Sequence, residues 1–253
     1  MNGFRFALLL TALLLVAAAP CPGKPNFIVI LSDDMSYNGT SAFGGWIKTP
    51  HMERMATEGM KFTDFHSNGT VCSPTRAAFL TGRYQQRAGL SGVVYADPSQ
   101  RAHYTGLQDL ERTLPEYLKE AGYETGLLGK WHLGYHPPYN PTRHGFDRFR
   151  GFVSGNIDFI SHRDNQNRHD WWHDRELKRM KGYVTHLIND DAVDFIEENR
   201  EKPFFLYVAH EAVHSPFQGP KSKAQRGPEK GLPEDGVTLT KEEAFVHLGH
   251  HLH

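Results

Sequence analysis

The 253-residue chain has very little cysteine: only Cys21 and Cys72. Cys21 lies beside a processing site (below), so a disulfide between the two is not expected, and the fold must stand on packing rather than on a cystine framework. It also lacks an excess of either charge. Twenty-eight Lys and Arg face 29 Asp and Glu, a formal net charge of −1, so no basic face suits nucleic acid. Beyond the N-terminus there is no long hydrophobic run, no internal repeat and no heptad pattern. The histidines have no zinc-ligand spacing, and the cluster His247, His250, His251 and His253 sits at a chain end that makes a poor metal cage.

The N-terminus itself is apolar. Arg5 precedes an unbroken run of apolar and small residues from Ala7 to Ala19, apart from Thr11. One positive charge, a short apolar core and Ala17-Ala18-Ala19 describe a secretory signal peptide over residues 1–23, too short for a membrane span. The expectation is export, with no membrane span in the mature chain. The compartment after export (periplasmic, extracellular or lysosomal) depends on the organism.

Downstream, apolar runs alternate with helical patterns, the signature of an α/β domain. Pro25 to Ser32 reads as a buried parallel strand ending at Asp33-Asp34. Thr49-Pro50 opens a helix that Gly59 closes, and Met60 to His66 reads as a second strand. Residues 84–112 form a loop. Thr113 to Glu116 is a capping box, followed by a helix and a strand from Tyr123 to Leu128. Residues 135–183 read as a long irregular stretch containing His162, His169, His173 and Trp171-Trp172, which would either hold a sugar ring or form a solvated excursion with the Trp residues packed down as anchors. An amphipathic helix over 184–199 and a buried strand over 203–209 follow. Residues 219–236 are polar and rich in Lys, Gly and Pro, and Thr240 opens a last short helix.

Chemistry collects at the carboxyl ends of the strands, where open α/β sheets place ligands. Adjacent carboxylates at Asp33 and Asp34 are costly to gather unless a positive partner, such as a hard divalent cation, balances them. Gly129-Lys130-Trp131-His132-Leu133-Gly134 sets a point charge and a proton carrier on a glycine-flanked turn. His210 and His214 follow the last strand. In Val71-Cys72-Ser73-Pro74-Thr75-Arg76, Ser73 reads as an N-cap and Pro74 as the first helical residue, with Gly82 ending the helix. A cysteine would then lie at the mouth of a helix, with free N–H groups, the helix dipole and the Arg76 guanidinium converging on it. That arrangement is an anion site holding a nucleophile.

The order Cys-x-Pro-x-Arg at residues 72–76, with Thr81-Gly82-Arg83 after the helix, resembles the signature of the type I sulfatases. Gly129 to Gly134 is similar to a second motif of that family. His144 to Asp147 and Gly151-Phe152 are similar to elements that follow it, and the family's histidine two residues before a proline matches His214 rather than His210. The resemblance runs from about Pro25 to Pro216. It implies an alkaline-phosphatase-like α/β fold, a largely parallel mixed sheet with helices on both faces, and a sulfatase domain whose N-terminal part covers residues 24–218. It implies hydrolysis of an exported, carbohydrate sulfate ester. Cys72 would be converted to formylglycine by a maturation enzyme, and one Ca2+ would be held by Asp33, Asp34 and residue 72. Arg76 would brace the nucleophile, Lys130 contact sulfate, His132 orient the hydrate and His214 protonate the departing alcohol. The family continues to an Asp-Asn pair that completes the calcium site; no such pair follows His214, where Asp235 stands alone. Residues 219–253 therefore read as a truncated end. An inactive pseudo-sulfatase that binds sulfated glycan or a partner, and a phosphonate or phosphate ester hydrolase, stay open as alternatives.

Overall fold

A computed structural model describes residues 23–109 and 112–227. The expected signal segment with Cys21, Asp235, the helix expected to open at Thr240 and the terminal histidine cluster lie outside these residues.

A six-stranded sheet forms the frame, in the order β1-β6-β2-β3-β4-β5. The strands are β1 (Phe27–Leu31), β2 (Glu124–Lys130), β3 (Arg148–Phe152), β4 (Trp172–His173), β5 (Glu176–Leu177) and β6 (Phe204–Ala209). β1, β6, β2 and β3 run parallel, in register Leu31 with Ala209 and Gly129 with both Ala209 and Gly151. The short β4 and β5 add antiparallel at the far edge. This is the largely parallel mixed sheet expected of the chain.

The described residues include α-helices α1 (Pro50–Glu58), α2 (Cys72–Thr81), α3 (Leu114–Glu120) and α4 (Val184–Glu198); the last three flank the sheet, while α1 has no buried residue and packs on the short turn Ser41–Phe43. Strand alternation divides the core in two. Leu127, Phe149, Phe205 and Tyr207 face Ala77 and Leu80 of α2. Leu128, Phe152, Leu206 and Val208 face Val184, Ile188 and Phe195 of α4. Each large side chain buried this way contributes about 1.5–3 kcal/mol. β6 is buried along its whole length because it has strands on both sides and helices on both faces. Helix α3 has the capping box that its sequence announces: the Glu116 carboxylate accepts from the Thr113 backbone N–H at 2.7 Å.

Several local expectations are corrected. β1 is an edge strand, with Ile28 48% and Ile30 55% exposed, rather than a buried one. Met60 to His66 forms no strand, since among the described residues no strand lies alongside to complete its hydrogen bonds. Residues 135–183 are less irregular than they read: β3, β4 and β5 lie within them, and Trp171 and Trp172 are buried anchors. Lys130 is the last residue of β2 rather than part of a turn. None of the helices among the described residues is long and apolar enough to cross a membrane.

Candidate active site

The parallel strands β1, β2 and β6 end at one rim of the sheet, and α2 begins there. Asp33 lies two residues past β1, Lys130 ends β2, and the turn carrying His214 follows β6. The backbone stitches β1 to that turn: Asp33 N–H donates to Ala212 O at 3.1 Å, and Val213 N–H donates back to Asp33 O at 2.9 Å. Asp34 adopts a left-handed backbone (φ 58°), a conformation that Asp tolerates better than most residues.

The helix start differs in register from expectation. Val71 is the N-cap and Cys72 the first helical residue, so neither Ser73 nor Pro74 has its expected place. Ser73 is instead fully buried, and its hydroxyl accepts the Val94 N–H at 3.2 Å, tying the following loop to the helix. Gly82 does end the helix, with φ 65°. Cys72 still lies in the first turn, where N–H groups are free of helical partners.

Arg76, one turn on, is 1% exposed. Its Nη1 donates to the Lys130 carbonyl at 2.9 Å and lies 3.4 Å from the Tyr207 hydroxyl. Nη2 stands 3.6 Å from Asp33 Oδ1, an ion pair beyond hydrogen-bond distance, and both Nη2 and Nε lack a hydrogen-bond acceptor among the described residues. Lys130, also buried, places its ammonium directly on Asp33 Oδ2. Two buried cations thus meet one buried carboxylate. The remaining positive charge, with unsatisfied guanidinium N–H groups beside it, suits an anion.

Asp33, Cys72 and His214 present ligand atoms that all lie within 4.8 Å of one another. His214 Nδ1 is 2.6 Å from the Ser215 carbonyl, which assigns the ring proton there, and Nε2 is 3.6 Å from Asp34 Oδ2. Asp33, Asp34, Cys72 and Arg76 line one cleft of about 260 Å³.

His132 sits deeper. Its backbone is left-handed (φ 56°), and its Nε2 lies 2.8 Å from the Val94 carbonyl, so that nitrogen carries the proton and Nδ1 is left without a partner. Burial first, then the Lys130 charge, holds its pKa well below the usual histidine range, and the ring is neutral. Its contact is with Val94; the charges of Lys130, Arg76 and His214 act on it from nearby. His210 is separate: its backbone N–H donates to Leu31 O at 2.9 Å, and burial lowers the pKa of its ring.

Two neighbours of the site escape sequence reading. Tyr207 is an inward-facing strand residue until Arg76 is seen on its hydroxyl. Glu211 is 1% exposed, and its position between His210 and His214 at a strand's end was the available signal.

The Sulfatase family model matches residues 25–231. The chain belongs to the Sulfatase family. Among curated proteins it is 38% identical to N-acetylgalactosamine-6-sulfatase of Canis lupus familiaris, over 89% of this chain and 47% of that one. It is 37% identical to the same-named protein of Homo sapiens, over 84% and 44%. The chain therefore spans about half the length of these curated relatives. Among solved structures, Ps i-CgsB superposes with a TM-score of 0.70 at 30% identity, covering 78% of this chain and 47% of that one. BT4656 in complex with D-glucosamine-2-N,6-O-disulfate gives 0.62 at 30% identity, covering 76% and 35%. These sulfatase neighbours carry the alkaline-phosphatase-like fold, and the sheet described above is its counterpart in this family member.

Proposed function

We propose that this chain carries the nucleophile-bearing part of a sulfuric ester hydrolase acting on sulfated carbohydrate. The observation behind the reading is the convergence of Asp33, Cys72 and His214 within 4.8 Å, beside two buried cations. Relatives named for N-acetylgalactosamine 6-sulfate, and a neighbour complexed with a disulfated glucosamine, support a sugar sulfate as substrate class. The apolar stretch from Ala7 to Ala19 supports export by a signal peptide.

A thiol beside a carboxylate and an imidazole is a mixed donor set, whereas Ca2+ takes six to eight oxygen ligands. Conversion of Cys72 to formylglycine replaces sulfur by oxygen, and with Asp33 and Asp34 the set then fits a hard cation, the rest of its shell coming from other oxygens. Residues 33, 34 and 72 would hold the ion, which when bound supplies positive charge that acidifies a neighbouring hydroxyl and stabilises sulfate. Formylglycine at residue 72, installed by a maturation enzyme and hydrated by water, would supply a hydroxyl nucleophile for sulfur.

The chain's own residues do the rest. The buried Arg76 braces the end of β2 through the Lys130 carbonyl and turns its unsatisfied N–H groups toward the anionic centre. Lys130, held by Asp33, gains a second anionic partner when sulfate enters and counters charge on its oxygens. His214, its ring fixed by Ser215 and its Nε2 3.6 Å from Asp34 Oδ2, is placed to donate a proton to the departing alcohol oxygen. His132, neutral, offers Nδ1 to accept a proton from the hydrate.

Mass spectrometry on the peptide containing Cys72, from protein made with its maturation machinery, tests this reading. An aldehyde mass, with sulfate released from a sulfated sugar and lost in Cys72→Ala, is the expected result. Unmodified cysteine, while a control sulfatase in the same cells is converted, overturns it in favour of a binding protein. Faster turnover of phosphate or phosphonate esters than of sulfates reassigns the substrate within the same chemistry.

A further inference from the structure

Glu211 is a buried acid that the reaction above does not use. Its Oε1 accepts the Ile157 N–H at 2.7 Å, while Oε2 has no hydrogen-bond partner among the described residues. Its backbone carbonyl accepts the His214 N–H at 2.9 Å. The 211–214 turn is therefore tied on one side to Asp33 through Ala212 and Val213, and on the other to Ile157.

The loop containing Ile157 backs the other histidine. Two residues earlier, Gly155 lies so close to His132 that a Cβ there would fall 2.7 Å from Cε1 of the ring. Its N–H donates to the Tyr135 hydroxyl at 3.2 Å, and the Ser154 N–H donates to Asp170 Oδ2 at 2.8 Å, so the loop is a firm wall. The Val94 carbonyl holds Nε2, the ring nitrogen next to that Cε1. Any drift of residues 155–157 moves the wall against which His132 rests.

We propose that Glu211 is a positioning residue: its side chain locks the turn carrying His214 to the loop that backs His132, so that the two imidazoles keep their separation. Burial lifts its pKa well above the usual carboxylate range. Asp33, past β1, adds to that effect. The Ile157 N–H, Lys130 at the end of β2 and Arg226 from the segment after β6 oppose it. A glutamine keeps the shape of the side chain and the carbonyl oxygen that accepts the Ile157 N–H, without the charge that burial disfavours. The catalytic consequence rests on the sulfatase reading above; the structural one does not.

Glu211→Gln, Glu211→Ala and the volume-matched Glu211→Met test this in the full chain. The readouts are hydrogen exchange at the Ile157 amide and NMR of the His132 and His214 ring protons. Glu211→Ala and Glu211→Met are expected to speed Ile157 exchange about 10-fold relative to neighbouring amides and to shift the His132 ring signals, while Glu211→Gln keeps both near wild type. If the protein hydrolyses sulfate esters, kcat should fall about 100-fold in the Ala and Met variants with KM within about 3-fold, and Gln should restore it. If Glu211→Ala does not fold, the Met and Gln pair gives the same comparison. The proposal is overturned if the Met variant matches wild type at Ile157 and His132, if Gln behaves like Met, or if KM rises in place of a fall in kcat. The exchange and NMR readouts need no turnover, so loss of the sulfatase reading leaves them decisive.

Discussion

At the scale of single residues, the site rests on an unequal charge cluster. Asp33 is shared by Lys130 and Arg76, all three buried, so its carboxylate is the counter-charge that makes two buried cations tolerable. Asp33→Ala should therefore lower stability by about 3–5 kcal/mol in urea unfolding, because both cations lose their partner together. Lys130→Met should cost less, since Arg76 remains beside Asp33; an equal or larger loss would show that Lys130 serves more than this pair. Arg76→Lys is not conservative here. A single ammonium cannot hold the Lys130 carbonyl and face Asp33 with the same fork geometry. The types and order of these residues are legible in the chain, as are Cys72 and His214. The Arg76 and Lys130 contacts to Asp33 are not, because they join three segments far apart in sequence. Ser73 shows the same limit. It has the chemistry of an N-cap, yet its hydroxyl accepts from Val94 instead.

At the scale of elements, strands and helices meet through glycines at close approach. Gly129 in β2 has φ 107°, and a Cβ there would lie 2.1 Å from the Ala209 carbonyl of β6. Gly82, ending α2, has φ 65° and open space around it. Gly129→Ala should prevent the β2–β6 pairing and with it soluble expression. Gly82→Ala should cost only about 1–2 kcal/mol of backbone strain, read by thermal unfolding. Comparable losses from both would contradict the β2–β6 register. Elements whose stability is local could be read in advance: α3 from its capping box, α4 from its apolar spacing, and β6 from an apolar run. Met60 to His66 could not. A strand's alternation states only what the segment can do, and its hydrogen bonds come from a neighbour that none of the described strands provides. β3 escaped notice for the opposite reason, since its arginines obscure an alternation that β2 turns into a ladder.

At the scale of the whole molecule, buried and half-buried histidines dominate the response to acid. Seven of them, at positions 132, 136, 144, 162, 169, 173 and 210, have pKa values lowered by burial, that of His169 to about 4. Above about pH 6.5 these rings are neutral both folded and unfolded, so they make no difference. Below it the unfolded chain takes up protons that the folded chain refuses, and stability falls with pH; for His169 the loss runs from about 6.5 to about 4. The buried acids Glu211 and Asp170 act in the opposite sense, because their raised pKa values let the folded state bind protons first. With seven groups against these, unfolding free energy should drop steadily from pH 7 to pH 5, and a flat or rising profile would contradict the burial described. The edge at β1 has a separate consequence. Ile28 and Ile30 are exposed on a strand whose outer edge is unpaired among the described residues, and Phe62 and Phe65 are exposed as well. The isolated chain should self-associate with rising concentration in light scattering, and Ile28→Lys with Ile30→Lys should suppress it.

The sequence by itself determined the family, the α/β class, the helices α1, α3 and α4, and the residue types that supply carboxylate, thiol, guanidinium, ammonium and imidazole. Those follow from short-range order: periodicity, caps, and motifs a few residues long. Only the tertiary structure decided that Asp33, Cys72 and His214 meet, that Lys130 and Arg76 share one carboxylate, and that Glu211 joins two histidine-bearing segments. The reason is physical. Parallel strands bring their carboxyl ends to one rim, so residues a hundred positions apart become neighbours there, and charge, burial and hydrogen-bond satisfaction are set by that proximity rather than by anything local to the chain.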